Sequence, residues 1–290
     1  MGHEKTEGGL PRAIAAAWGL LETPQRGPTR GLDHHRIAEA AVGIADEEGL
    51  TAVTMASVAR SLGFTTMSLY RYVSSKDELL RLMQDAAVGI PAQATLPAVW
   101  PAGIKAWADL IRQSYRAHPW LMDLPRDQTA VLMPNTLRAA ELGLATMAEV
   151  DLDDGEKLGV ILLISQHVMS MVELERSLAL EGGLTLTVEG LERLSSVITP
   201  EEFPYLAAMV STGGFMADFT DEVDQAGASV EHGRTDASDD PPSTDPTDPA
   251  DVEAEYAMGL DLITAGVDAL FARRGTAAAA DGTKRAAARE

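Results

Sequence analysis

Residues 54–78, TMASVARSLGFTTMSLYRYVSSKDE, restrict the fold more than any other stretch of the chain. Ala56, Val58, Ala59 and Leu62 place an apolar stripe on a first short helix. Gly63 stops it, because glycine enters the left-handed region without a Cβ penalty. Thr65 or Thr66 can cap the next helix, whose buried side is Leu69 and Val73. Ser75 and Glu78 have the spacing of a capping box at the start of a third helix. Two short helices joined by a glycine turn are a helix-turn-helix, the unit whose second helix fits a DNA major groove.

The outer face of that second helix carries Thr65, Thr66, Met67, Ser68, Arg71 and Tyr72. Hydroxyls and an arginine suit phosphates and base edges. Lys76 sits in the first turn of the following helix, where a cation opposes the helix dipole, and a phosphate partner explains it. From about Asp33 to Met83, through HHRIAEAAVGIADEEGL, TMASVARSLG and LYRYVSSKDELL, the chain resembles the DNA-binding domain of the tetracycline repressor family of transcription regulators. The resemblance implies that Tyr70, Arg71 and Tyr72 lie on or beside the DNA face. It also implies that Thr54 and Lys76 touch phosphates, and that Thr65, Thr66 and Met67 face the bases.

The net charge of −21 is unusual for a DNA binder, and its distribution explains it. Residues 218–255 hold 13 acidic side chains against one basic, Arg234, whereas residues 24–76 hold six basic and five acidic. The helix-turn-helix region is therefore near neutral, and non-specific affinity for DNA should be modest. Cysteine is absent, which excludes disulfides and thiolate metal sites. No apolar run approaches the roughly 18 residues expected of a membrane span, and MGHEKTEGG does not read as a secretory signal. The expected location is the cytoplasm.

The expected fold is all-α: a three-helix helix-turn-helix domain at 33–90, then a larger helical domain at 91–274. Residues 1–32 read as a flexible arm on which Arg26 and Arg30 can enter the adjacent minor groove. Within it, residues 10–21 have the pattern of a short helix. Asp33 caps the first repressor-like helix and Gly49 ends it. Residues 218–250, rich in Asp and Pro, read as a disordered acidic insertion, and 275–290 as a disordered tail.

In the helical domain, Trp107, Ile111 and Tyr115 share a face, as do Leu163, His167 and Met171. With Met133 they are candidates to line an apolar effector cavity. Tyr256, Leu260, Ile263, Val267 and Leu270 repeat at four-three spacing, and Leu158, Leu162 and Val168 lie on a second stripe. Either stripe can be intramolecular core. The family resemblance implies instead that both helices pair with their copies in a homodimer. No catalytic constellation, metal-ligand cluster or phosphate loop is present, so no enzyme activity, metal or cofactor is expected. The expected function is a ligand-responsive regulator that binds a DNA operator. A protein-interaction module that kept the helix-turn-helix scaffold is the alternative.

Overall fold

The computed structural model describes residues 9–21, 31–91, 94–125, 128–179, 188–211 and 249–287. Arg26 and Arg30, and the acidic segment apart from residues 249 and 250, lie outside the described residues. Among the described residues there are eleven α-helices and no β-strand. The first five are α1 (Arg12–Ala17), α2 (His34–Glu48), α3 (Met55–Ser61), α4 (Thr66–Tyr70) and α5 (Lys76–Ala87).

Local chemistry sets the ends of these helices. The Asp33 carboxylate accepts from the Arg36 amide at 2.8 Å and starts α2. Thr54 and Ser57 cap each other's amides at the start of α3, a reciprocal box absent from the sequence reading. Thr65, not Thr66, caps α4 by accepting from the Ser68 amide. Gly63 has φ 74°, and the Gly63 and Phe64 amides donate to the Arg60 and Ala59 carbonyls, closing α3 in a Schellman turn. At α5 the expected box is displaced by one residue. Ser75 accepts from the Glu78 amide, but the Glu78 carboxylate accepts from the amide and hydroxyl of Ser74. Ile37, Ala41, Val58, Leu69, Val73 and Leu79 fill the core. Ala56, expected in that core, is exposed, and Met55 is buried in its place.

Within the expected residues 10–21 a shorter helix forms, Arg12–Ala17, and it is packed rather than free. Ala13, Ile14, Ala15 and Ala16 of α1 are all buried. Alanine side chains let a short helix approach α2 and α5 closely, which an arm reading based on glycine and proline content overlooks.

The helices α6 (Trp100–Ala117), α7 (Pro134–Ala145), α8 (Asp154–Ala179), α9 (Val188–Val197), α10 (Leu206–Ser211) and α11 (Pro249–Ala287) follow. The last runs as helix well beyond residue 274, through most of the segment expected to be a disordered tail. The chain divides into two compact units, Met1–Val172 with Leu262–Glu290, and Glu173–Asp261. Within the first unit, Trp120, Leu121, Leu124 and Met133 share one continuous core with the helix-turn-helix. Contrary to the sequence expectation, α8 is long and apolar enough to cross a membrane, with a mean hydropathy of 1.4 in its most apolar window. A third of that window is buried inside the protein.

Candidate nucleic-acid interface

Leu69 and Val73 anchor α4 from below, and this fixes what faces outward. Met67 is 75% exposed and Tyr70 47%. Thr65 and Arg71 are exposed, while Thr66, Ser68 and Tyr72 are half-buried. Thr54, at the start of α3, and Lys76, at the start of α5, are also exposed. Of the candidate DNA residues of α4, Thr65, Met67, Tyr70 and Arg71 are thus accessible, while Thr66, Ser68 and Tyr72 are partly covered. The Tyr72 ring meets His34 edge-on, with centroids 6.0 Å apart. Tyr72 contributes its backbone as well: the carbonyl accepts from Arg12 Nη2 at 3.3 Å and lies 3.1 Å from His34 Nε2.

Three polar junctions join this head to the following helices. The Asp46 carboxylate at the end of α2 accepts from Trp120 Nε1 at 2.7 Å and meets His118 Nδ1 at 2.8 Å. The Asp85 carboxylate of α5 accepts from the Asn135 and Thr136 amides at 2.9 and 3.1 Å, capping the first turn of α7. Burial pushes the Asp85 carboxyl above its ordinary value, and those two backbone amides oppose the shift. The Trp18 indole, just past α1, donates to the Leu132 carbonyl at 2.9 Å. A cleft of about 400 Å³ lies between α1, α2, α5 and the start of α7, lined by His34, Asp85, Asn135 and Arg138 among others.

The sequence did not mark Arg12, Asp85 or Arg112 as site residues, yet all three carry structural weight. Arg112 in α6 is 3% exposed. A signal existed for Asp85: Glu78, Leu82 and Asp85 fall on one face of α5, two acids on an apolar stripe.

The effector-cavity candidates divide among buried, half-buried and exposed positions. Trp107 is buried, with its indole donating to the Ala139 carbonyl at 2.7 Å. Gly143 of α7 lies directly against it, so that a Cβ there would stand 2.8 Å from the ring. Ile111 and Met171 are buried, and Tyr115 and His167 are half-buried. Met133, whose backbone is extended before Pro134, belongs to the helix-turn-helix core. Leu163 is exposed, one position away from the fully buried Ile164.

The residues of the seam expected on α11 also differ in exposure. Tyr256, Leu260 and Val267 are buried within the chain, Ile263 is half-buried, and Leu270 is exposed. The outward stripe is instead Met258, Leu262, Ala265 and Ala269, at the same four-three-four spacing. On α8, Leu158 and Leu162 are exposed as a partner surface requires, and Val168 is buried. Both helices are apolar nearly all round, so periodicity alone did not distinguish the inner stripe from the outer one.

Comparison with known proteins follows the same division. Residues 37–83 match the family model described as bacterial regulatory proteins, tetR family. Residues 93–225 match the tetracyclin repressor-like C-terminal domain. HTH-type transcriptional repressor DrrR1 of Streptomyces coeruleorubidus is 36% identical over 167 residues, covering 56% of this chain and 60% of that protein. An HTH-type transcriptional regulator of Saccharopolyspora erythraea is 29% identical over 148 residues, 50% of this chain and 61% of that one. The chain thus spans about three fifths of the length of these curated relatives. Its fold resembles that of the TetR family protein ActR from Streptomyces coelicolor in complex with actinorhodin. The TM-score is 0.57 at 22% identity, over 83% of this chain and 97% of that one. ActR in complex with (S)-DNPA gives the same score, over 82% and 98%. With the helix-turn-helix matched by one model of this family and the helices behind it by another, the chain belongs to the tetR family of bacterial regulatory proteins.

Proposed function

We propose that the protein is a homodimeric, ligand-responsive transcriptional regulator, a repressor that leaves a pseudo-palindromic DNA operator when a small molecule binds its helical domain. The observation that carries this reading is the outer face of α4: Thr65, Met67, Tyr70 and Arg71 are accessible while Leu69 and Val73 hold the helix from beneath. Thr54 and Lys76 flank that face at two exposed helix starts, where phosphate oxygens are met. Arg26 and Arg30 add a minor-groove contact in this reading.

A helix-turn-helix reads a two-fold site with two copies. Exposed apolar stripes on α8 (Leu158, Leu162) and α11 (Met258, Leu262, Ala265, Ala269) supply a surface for the second copy. ActR, crystallised with actinorhodin, shares the fold, which supports a small-molecule effector here without naming it. The core around Trp107, Ile111, His167 and Met171 is where we place that effector. The protein acts as a regulator rather than a catalyst, without a cofactor, in the cytoplasm where its DNA lies.

The test uses a duplex selected by the full-length protein from a randomised pool. Lys76→Ala should weaken binding to selected and unselected DNA alike and lower the slope of log affinity against log salt by about one per subunit. Failure of the parent protein to enrich any duplex would remove the reading.

A further inference from the structure

We propose that α1 is a strut: it ties the C-terminal end of the recognition helix α4 to the start of α7, so that Arg12 and Trp18 are positioning residues for operator binding. The proposal rests on the regulator reading above. α1 lies outside the residues that the family models match, so its role has to be read from its contacts.

At one end, Arg12 reaches two groups at the α4–α5 junction. Its Nη2 donates to the Tyr72 carbonyl, two residues past the end of α4, which also lies 3.1 Å from His34 Nε2. Its Nε lies 3.3 Å from Glu78 Oε1, a charge contact without hydrogen-bond alignment. Glu78 is 3% exposed, and its other oxygen is already committed to Ser74. Arg12 is therefore the cation beside a buried carboxylate, and removing it would leave that charge uncompensated. A cation at the end of α4 also complements the helix dipole.

At the other end the helix closes on Gly19, φ 66°, with the Gly19 and Leu20 amides donating to the Ala16 and Ala15 carbonyls. This Schellman turn places Trp18, whose indole donates to the Leu132 carbonyl. Leu132 ends a 3₁₀ turn, and two residues later Pro134 opens α7. Between the two ends, four consecutive buried residues, Ala13 to Ala16, leave the helix little freedom to shift alone. A rise of about 1.5 Å per residue puts the two anchors roughly 9 Å apart along the axis. A displacement of the start of α7 is thus passed to the Tyr72 carbonyl by a path separate from the Asp85 junction on α5.

The experiment compares Arg12→Ala, Arg12→Lys, Trp18→Phe and the Arg12→Ala/Trp18→Phe double variant of the full chain on a duplex selected by the parent protein. Arg12→Ala should weaken binding about tenfold, since a hydrogen bond to a charged group is lost, and Arg12→Lys should recover part of it. Trp18→Phe, which keeps an aromatic ring and removes only the N–H, should weaken binding about threefold. The two losses should be less than additive in the double variant, because freeing either end disables the strut. The salt slope should not change, since no phosphate contact is removed. Additive losses, an unaffected Trp18→Phe variant, or a reduced salt slope for Arg12→Ala would overturn the proposal. Amide exchange without DNA provides a second readout: both single variants should exchange faster at Tyr72 to Ser75, and unchanged exchange there sinks the strut. If the parent selects no duplex, the regulator reading fails, and the exchange measurement still decides the strut.

Discussion

The helix-turn-helix and the long helices α8 and α11 are built from the same residue types but specified in different ways. In the first, every helix start from α2 to α5 and two of the stops are set by a residue within about four positions: Asp33, Thr54, Thr65 and Ser75 at the starts, Gly49 and Gly63 at the stops of α2 and α3. The outward face of α4 follows from these local choices plus two buried anchors, Leu69 and Val73. In α8 and α11, apolar residues surround the helix, and tertiary packing alone selects which become core. Neighbouring aliphatic residues can then have opposite fates: Leu162 is 60% exposed two positions from the fully buried Ile164, and Leu262 is 67% exposed two positions from the buried Leu260. Local rules fix a surface where the chain carries caps and glycine turns. Where it does not, the surface depends on distant contacts.

Substitutions on α11 should break this comparison most visibly. Leu260→Asp puts an unpaired charge into the core and should cost more than about 4 kcal/mol, seen as loss of a cooperative thermal transition by circular dichroism. Leu262→Asp should leave a folded chain that sediments as a monomer and no longer binds its selected duplex. Equal behaviour of the two variants would mean that inner and outer stripes are wrongly assigned.

A smaller effect is expected at the locally specified surface. Arg71→Ala should cost about 1–3 kcal/mol of operator binding with thermal stability unchanged, and should relax sequence preference at one position per half-site. Anisotropy titrations against single-base variants of the duplex measure this.

Gly63→Ala examines the turn itself. A Cβ there meets no atom within 4 Å, so the cost comes from backbone conformation alone, about 1 kcal/mol or a few degrees in Tm. A stabilised variant would contradict the left-handed turn.

The smallest effect concerns Asp85. Its folded-state carboxyl is raised above 3.8, so its contribution to stability is fully present below that pH and is lost as pH rises through the folded value. Asp85→Asn keeps an oxygen for the Asn135 and Thr136 amides and removes the titration. The variant's stability should therefore fall less than the parent's as pH rises upward from 3.8, as followed by urea midpoints across that range. Parallel profiles would mean that Asp85 does not titrate differently on folding.

The same contrast explains what the sequence disclosed. Asp33, Gly49, Gly63 and the α4 anchors were legible because cap and turn chemistry acts within a few residues. The α5 box slipped by one residue because Ser74 and Ser75 offer equivalent donors, and side-chain geometry chose Ser74. Trp18 and Leu132 meet across 114 positions, and His118 and Asp46 across 72, which no local pattern predicts. The effector candidates have the most varied surroundings. Met133 and Leu163 look alike in composition to core residues of the helical domain, yet one fills the helix-turn-helix core and the other faces out.

The central claim is that two copies of the α4 face read adjacent turns of one duplex. Inserting five base pairs between the half-sites of the selected duplex turns one half-site about 180° away, since a helical turn is about 10–10.5 base pairs. The account predicts that the full-length protein then binds no better than it binds unselected DNA, and that a ten-base-pair insertion restores part of the affinity. Affinity indifferent to the five-base-pair insertion would contradict it.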